Sequence, residues 1–382
     1  MRFVLFKFIR LFATLLVLFS CEYVAAQTPD ASNASDLSQE SELAKTEKNW
    51  RARVQQNPRD AAAHATLGVV LSKEGKYPEA VASYKKALSI DPTLRGLQFN
   101  LGLAEFKQGH FQAAIPPLRA ALAADPQNNQ ARTLLGMSCY GAKRFADAVK
   151  YLEAASRADP ANTELHRILA QSCLSAKNYS CSLEEFRLVL QADPNSAAAH
   201  MLTGEALDGL GRTPEAITEF QEAAKVSPTE PNVNFGLGYL YWKQHKYQEA
   251  TSAFQAELSL DAANAQAWAY LGDIAMKQND REKAIPLLTK AVELNKDLRI
   301  AQLDLGVILL EQKKYQEALA ALLHAEKLDP SQPDAHYRLA HLYRETGNTA
   351  ASQREFAKVR ELHEKTDEAL APKIGDTPSL PR

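Results

Sequence analysis

The sequence lacks an excess of either charge. Its 382 residues contain 44 lysines and arginines against 46 aspartates and glutamates, which gives a formal net charge of -2. Proteins that hold nucleic acid through its phosphates usually carry a basic excess or a basic stripe. The balance of charge therefore argues against a nucleic-acid partner.

Motifs for catalysis are also missing. The sequence has only four cysteines, with no paired zinc cysteines, no Ser/His/Asp order and no Walker-type loop. Outside the repeats described below, no stretch is long enough to fold into a catalytic domain. We predict a protein that is not an enzyme, takes no cofactor and has neither catalytic nor metal-ligating residues.

The N-terminus has the features of an export signal. Arg2, Lys7 and Arg10 precede the apolar run LFATLLVLFS, and small residues precede Gln27. We expect a signal peptide at 1–26, a flexible polar tether at 27–41, and export to a bacterial periplasm or cell envelope. An alternative is lipidation of Cys21, although Phe19 is too bulky for the usual lipoprotein pattern. We expect membrane contact only through the signal peptide or a lipid anchor.

The rest of the chain repeats every 34 residues. Glycine recurs in this phase at Gly68, Gly102, Gly136, Gly204, Gly238, Gly272 and Gly306. A large apolar residue follows 16 positions later at Tyr84, Leu118, Leu152, Phe220, Phe254, Leu288 and Leu322. Proline closes most units, as at Pro92 and Pro126. Apolar residues within each unit fall at helical spacing, so each unit is predicted to be a pair of helices.

These residues resemble the tetratricopeptide repeat, whose unit is a helix-turn-helix of 34 residues. The resemblance implies an all-α fold, a right-handed superhelical solenoid of such repeats. Nine units fill residues 61–366, with bounds 61–94, 95–128, 129–162, 163–196, 197–230, 231–264, 265–298, 299–332 and 333–366. We expect an N-terminal capping helix at 42–60, which contains Trp50, and a C-terminal tail at 367–382.

Some residues depart from the repeat pattern or admit another interpretation. Glu257 replaces a usual alanine, and Thr203, Ala262 and Lys296 are further departures. Pro116, Pro117 and Pro286 fall early in second helices, where we expect a local bend rather than a break. In the segment NVNFGLGYLYWKQ, we interpret Gly238 as a glycine that lets two helices pack closely, since a phosphate loop would need a third glycine.

Four of the histidines recur at the same period. His64, His166, His200 and His336 are separated by multiples of 34 residues, and we interpret them as packing rings rather than metal ligands. Cys173 and Cys181 share one predicted hairpin. The sequence leaves open whether they form a disulfide or remain buried free thiols.

The resemblance places function on the concave groove, which the first helix of each unit lines. Residues spaced four and then three apart on these helices predict two apolar, aromatic patches around a polar middle that includes Arg167 and Asp208. The partner-binding residues that we predict are Phe99, Leu103, Phe106, Met137, Tyr140, Phe235, Tyr239, Trp242, Leu303 and Leu310. The alternative interpretation is that these side chains only pack against neighbouring helices. Only Asn100 fits the pattern with which related proteins clamp acidic chaperone tails, which disfavours that partner.

The leading hypothesis is a non-catalytic scaffold of the cell envelope that binds a protein or peptide segment in this groove. One alternative is a lipid-anchored assembly factor for pili or outer-membrane proteins, and another is a regulatory subunit of a separate enzyme. The sequence does not determine the oligomeric state.

Overall fold

The computed structural model describes residues 32–375, which form nineteen α-helices and contain no strand. The described part of the chain begins with α1 (Ser32–Gln56). Nine hairpins follow: α2 (Ala61–Lys73) with α3 (Tyr77–Ile90), α4 (Leu97–Lys107) with α5 (Phe111–Ala124), α6 (Asn129–Gly141) with α7 (Phe145–Ala158), α8 (Thr163–Ser175) with α9 (Tyr179–Ala192), α10 (Ala197–Gly209) with α11 (Thr213–Val226), α12 (Val233–Lys243) with α13 (Tyr247–Leu260), α14 (Ala265–Lys277) with α15 (Arg281–Leu294), α16 (Arg299–Glu311) with α17 (Tyr315–Leu328), and α18 (Pro333–Glu345) with α19 (Thr349–Gly375). The predicted all-α solenoid of helix-turn-helix repeats is confirmed.

The chain divides into two compact units, Met1–Ala192 and Asp193–Arg382. We call helices α1–α9 the N-terminal unit and helices α10–α19 the C-terminal unit. The predicted signal peptide at 1–26, including Cys21, lies outside the described residues, as do residues 376–382. No helix among the described residues is both long and apolar enough to cross a membrane.

The ends of the helical region differ from the predicted boundaries. Helix α1 begins at Ser32, inside the predicted tether, and ends at Gln56 rather than at residue 60. Helix α19 continues to Gly375, so the first residues of the predicted tail are helical. The sequences DLSQESELAK and DEALA are rich in residues that favour helix, and a polar composition alone does not prevent a helix from extending. The two boundary predictions are corrected accordingly.

Polar residues cap most of the first helices. Asp60 accepts a hydrogen bond from the backbone N–H of Ala63 at 2.9 Å, and Asn128 accepts one from Ala131 at 2.8 Å. Asn162, Ser196 and Asn264 cap α8, α10 and α14 in the same way. Such a cap satisfies a backbone donor that the first turn leaves unpaired.

Every hairpin turns through one residue with a positive φ at the same place in the repeat. These residues are Gly75, Gly109, Lys143, Lys177, Gly211, His245, Asn279, Lys313 and Gly347. Glycine adopts this conformation without strain, whereas lysine, histidine and asparagine accept some cost. The turn geometry is therefore uniform although its sequence is not. Helices α5 and α15 run through Pro116, Pro117 and Pro286 without a break.

The core lies between the two helices of each hairpin, where the recurring glycines face the recurring large residues. A Cβ atom added at Gly238 would lie 2.7 Å from ring carbon Cδ1 of Phe254, a side chain that is fully buried. The same clash would arise between Gly68 and Tyr84. Gly238 is therefore a packing glycine, as predicted.

The recurring histidines connect neighbouring segments through hydrogen bonds. Nε2 of His166 lies 3.1 Å from the carbonyl oxygen of Pro160, and Nδ1 lies 2.5 Å from Oε2 of Glu185. His200 and His336 make the matching pairs with Glu219 and Glu355. These rings therefore pack and also bind polar partners 19 residues later in the chain. Within the described residues, no cluster of three or more His, Cys, Asp and Glu side chains could hold a metal ion.

Cys173 and Cys181 form a disulfide that joins α8 to α9, with 5.8 Å between their Cα atoms. This decides between the two alternatives that the sequence left open. Cys139 remains a free thiol, and burial raises its pKa to about 11. A thiol in that state is a poor nucleophile near neutral pH.

Candidate functional site

The predicted binding residues lie on the first helices, and most are partly accessible. Eight of the ten are half-buried, namely Phe99, Leu103, Phe106, Tyr140, Tyr239, Trp242, Leu303 and Leu310. Met137 and Phe235 are buried, with only 7% and 4% of their surface exposed. A partner cannot contact those two without opening the core, so we correct them to packing residues.

An aromatic cluster accounts for the burial of Phe235. Its ring centroid lies 5.6 Å from that of Phe254 in α13 and 5.9 Å from that of Tyr270 in α14. Phe254 and Tyr270 stack at 5.4 Å. Phe235 therefore joins two successive hairpins, and the sequence alone does not show this because Phe235 has the spacing of a groove residue.

The first-helix face of the N-terminal unit consists of Phe99, Leu103 and Phe106 on α4, Tyr140 on α6, and Arg167 and Gln171 on α8. Phe106 packs edge-on against Phe111 at 5.5 Å. The hydroxyl of Tyr140 donates to Oε1 of Gln171 at 3.1 Å. Arg167 donates to Gln171 at 3.2 Å and forms an ion pair with Glu164 at 2.5 Å. This face is aromatic, and its single arginine is already paired.

The first-helix face of the C-terminal unit consists of Glu205 and Asp208 on α10, Tyr239 and Trp242 on α12, Asp273 on α14, and Asp304 and Leu310 on α16. Indole Nε1 of Trp242 donates to Oδ2 of Asp273 at 2.5 Å. The Trp242 ring lies 6.0 Å from Tyr239 and 5.0 Å from Tyr270, measured between centroids. The contacts with Asp273, Tyr239 and Tyr270 therefore hold the indole ring in one orientation.

Two lysines also lie on this face. Lys277 Nζ lies 3.4 Å from Oδ1 of Asp273 and 6.0 Å from the centroid of Trp242. Lys243 Nζ lies 2.6 Å from Oδ1 of Asp208. A carboxylate beside an aromatic ring is an environment that favours an organic cation.

Three carboxyl groups of this face are desolvated. Burial, together with the nearby charge of Asp273, raises the pKa of Asp304 to about 8, although Lys277, Arg338 and Arg281 act in the opposite direction. Burial also raises the pKa of Asp273, and it raises the pKa of Glu205 to about 7. Asp304 is 8% exposed, and its buried Oδ2 has no hydrogen-bond partner among the described residues.

The prediction from sequence missed Asp273 and Asp304. Asp273 occupies the groove position of the seventh repeat, which corresponds to Met137 in the third, and the predicted set contains no residue from that repeat. A charged residue at a position that is apolar in the second, third and eighth repeats was the available signal. Asp304 lies one residue after the groove position Leu303, so the four-and-three spacing passes over it.

Glu257 explains one departure from the repeat pattern. Its side chain is 2% exposed and accepts hydrogen bonds from the backbone N–H groups of Asn232 at 3.3 Å and Phe235 at 3.2 Å. Asn232 precedes α12 with a φ of 68° and makes no side-chain cap of its own. The carboxylate therefore caps α12 from the neighbouring helix α13.

Comparison with protein families identifies the repeats. Two models described as Tetratricopeptide repeat match, one over residues 99–163, 235–297 and 271–333 and the other over 139–206 and 309–371. A third, described as TPR repeat, matches residues 70–109 and 204–245. Together the matches extend without a gap from residue 70 to residue 371.

Several solved structures are similar to this chain. A tetratricopeptide repeat protein from Parabacteroides merdae ATCC 43184 is 18% identical, with a TM-score of 0.47 over 64% of this chain and 97% of that chain. MamA from Desulfovibrio magneticus RS-1 is 20% identical, with a TM-score of 0.41 over 44% and 95%. YrrB, described as a TPR protein with an unusual peptide-binding site, is 22% identical, with a TM-score of 0.37 over 49% and 97%. No curated protein matched the chain.

Proposed function

The chain belongs to the tetratricopeptide repeat family, and on that premise we propose that it is a non-catalytic scaffold of the cell envelope that holds a segment of another protein on its first-helix faces. Proteins of this family are protein-interaction scaffolds, and they are typically non-catalytic. The experiments below test the use of these two faces and the location in the cell envelope.

The observation that carries the proposal is the state of Trp242. The ring is half-buried, stacked beside Tyr239 and held by Asp273, so it presents an aromatic surface in a fixed orientation. An anchor that is already ordered loses little conformational entropy when a partner binds. Aromatic anchors of this kind carry a large share of the binding energy at protein interfaces.

Site-specific photo-crosslinking in the native host tests the proposal. Probes replace Trp242 in the C-terminal unit and Phe106 in the N-terminal unit, and a control probe replaces Lys290, whose side chain is 49% exposed on second helix α15. We expect a crosslinked species with one or both face probes that the Lys290 probe does not give. Identical patterns from all three probes would assign the aromatic side chains to packing alone.

We also propose that the protein reaches the envelope by cleavage after Ala26. The basic residues, the apolar run and the small residues of 1–26 support this proposal. Mass analysis of the mature N-terminus tests it: a free Gln27 is the expected result, and an acylated Cys21 would favour the lipid-anchored assembly factor instead.

A further inference from the structure

Three histidines connect the loop before a first helix to the second helix of the same hairpin. In each case Nε2 lies 3.1–3.3 Å from the carbonyl oxygen of a proline in that loop, and Nδ1 lies 2.5–2.7 Å from a glutamate oxygen. We call these contacts the histidine bridges, and they consist of Pro160, His166 and Glu185; Pro194, His200 and Glu219; and Pro330, His336 and Glu355.

The partners of each ring fix the number of protons in a bridge. A carbonyl oxygen and an ionised carboxylate can only accept hydrogen bonds. Nε2 must therefore carry one proton, and a second proton must lie between Nδ1 and the glutamate oxygen, whichever of these two atoms holds it. In an unfolded chain above the ordinary pKa of histidine, about 6.5, a neutral histidine and an ionised glutamate hold only one proton between them. Each bridge therefore takes up one proton when it forms.

His64 provides a comparison within the chain. Its Nε2 makes the same contact with the carbonyl oxygen of Pro58, at 3.2 Å. The position that a glutamate occupies in the bridges holds Ser83 in this repeat. One proton, on Nε2, is enough for the contact with Pro58. The first repeat therefore has the histidine without the extra proton.

Burial makes the second proton of a bridge hard to lose. The side chains of His166 and Glu185 are only 9% and 16% exposed, so water competes little for their hydrogen bond. Without the second proton, the carboxylate would face the lone pair of Nδ1 in a place where water cannot fully replace the lost donor. An acceptor left unpaired in this way destabilises the folded state.

Further carboxylates face two of the rings. Glu326 of α17 lies 4.0 Å from Nδ1 of His336. In α11 the pKa of Glu222 is lowered, mainly by the ion pair with Lys225 and also by the charge of His200. Negative charge near an imidazole ring favours the protonated form of the ring.

We propose that the three histidine bridges form a pH-sensitive device, in which each bridge binds one proton as it closes and fastens an inter-repeat loop to a second helix. Because the folded chain then holds protons that the unfolded chain releases above about pH 6.5, the bridges stabilise fully below that pH and lose their effect as the pH rises. The folding equilibrium constant should fall by up to about tenfold per bridge for each pH unit. The inference does not depend on which segment the first-helix faces bind.

Urea denaturation of the full chain at about pH 7 and about pH 8 tests the inference, with Glu185→Gln, Glu219→Gln and Glu355→Gln combined in one variant. A glutamine amide can donate to an unprotonated Nδ1, so it keeps the hydrogen bond without the extra proton. Between these pH values the folding equilibrium constant of the wild type should fall by at least about a hundredfold more than that of the variant. Asp304 and Cys139, whose pKa values burial raises, are unchanged in the variant and cancel in the comparison.

Two single changes make the test specific. Ser83→Glu supplies the missing glutamate to His64 and should make the fall steeper, by about tenfold per pH unit. Glu184→Gln removes an exposed carboxyl group one residue from Glu185 and should leave the fall unchanged.

Equal falls for the wild type and the combined variant would overturn the inference, because closing the bridges would then take up no proton. A wild type that is equally stable at both pH values would overturn it without any variant. If the combined variant does not fold, the three single glutamine variants and Ser83→Glu make the same comparison one bridge at a time.

Discussion

Helices α4 and α12 have the same length and the same backbone geometry at their N-termini, but they present different surfaces. They lie four repeats apart, each has 11 residues, and each follows a residue with a positive φ, Gly96 at 72° and Asn232 at 68°. Phe99 in α4 is half-buried, whereas Phe235 at the matching position of α12 is 4% exposed.

The difference lies in the neighbouring helices. Where the C-terminal unit has Glu257, Tyr270 and Asp273, the matching positions of the N-terminal unit have Ala121, Leu134 and Met137. Glu257 caps α12, Tyr270 packs over Phe235, and Asp273 accepts from Trp242. Phe106, which matches Trp242, has no donor to satisfy and packs against an apolar cluster that includes Met137. The surface that one repeat presents is therefore determined by residues of the next hairpin and of its own second helix.

Truncating the two matched phenylalanines should give the largest contrast. Phe235→Ala should lower the free energy of unfolding by about 3–5 kcal/mol, because it leaves a cavity between Phe254 and Tyr270. Phe99→Ala should cost roughly 1–2 kcal/mol, since that ring is already partly exposed. Urea denaturation of the full chain measures both, and equal losses would mean that the two positions are equivalent.

The second contrast is the pH dependence of stability that Asp304 gives the C-terminal unit. The matching residue four repeats earlier, in the N-terminal unit, is Ile168, which has no titratable group. The folded-state pKa of Asp304 is raised to about 8 from an ordinary 3.8, so the folded state holds a proton that the unfolded state loses in that window. Stability should therefore fall as pH rises, by an amount on the order of 1 kcal/mol per pH unit between about pH 5 and pH 7.

Asp304→Asn should remove this contribution, so the variant should gain on the wild type as pH rises. Thermal melts at the two pH values measure the difference. Glu293→Gln removes an exposed carboxyl group that pairs with Lys290 and serves as the control that should keep the wild-type slope. Parallel slopes for the wild type and Asp304→Asn would contradict the assigned desolvation.

Removing the side-chain cap should make α12 resemble α4. Glu257→Ala introduces the residue found at Ala121 and should cost about 1–2 kcal/mol, because the backbone N–H groups of Asn232 and Phe235 lose their acceptor. Hydrogen exchange at those two amides should accelerate in the variant. Unchanged exchange there would show that the cap does not protect α12.

The smallest contrast concerns the residue before each helix. Asn232→Gly introduces the residue found at Gly96 and should stabilise the chain by about 0.5 kcal/mol or less, since glycine adopts a positive φ without strain and asparagine tolerates it. The reverse change, Gly96→Asn, should cost a similar amount. A large effect of either sign, measured by urea denaturation, would mean that the side chain of Asn232 has a further role.

The repeat period made the fold predictable. Small residues recur every 34 positions and large residues follow 16 positions later, and this pairing reflects the close approach of the two helices within a hairpin. The ends were less predictable because α1 and α19 have fewer neighbours whose packing could fix where a helix stops.

The candidate site was less predictable because its state depends on partners in other repeats. Phe99 and Phe235 have the same spacing, and the rings of Phe254 and Tyr270 account for the deeper burial of Phe235. The histidines illustrate the same limit, since His166 and His200 meet glutamates 19 residues later whereas the equivalent residue for His64 is Ser83. A glutamate 19 residues after a histidine can be recognised in the sequence, but whether the two side chains form a hydrogen bond depends on how the helices pack.

The redox state of Cys173 and Cys181 reports the compartment in which each molecule matured. Disulfides persist in oxidising compartments and are rare in a reducing cytosol. Alkylation after unfolding would label Cys139 alone in a chain that had been oxidised, and it would label all three cysteines of residues 27–382 in a chain retained in a reducing compartment. The thiol count of protein taken from its host therefore reports on export without any knowledge of the partner.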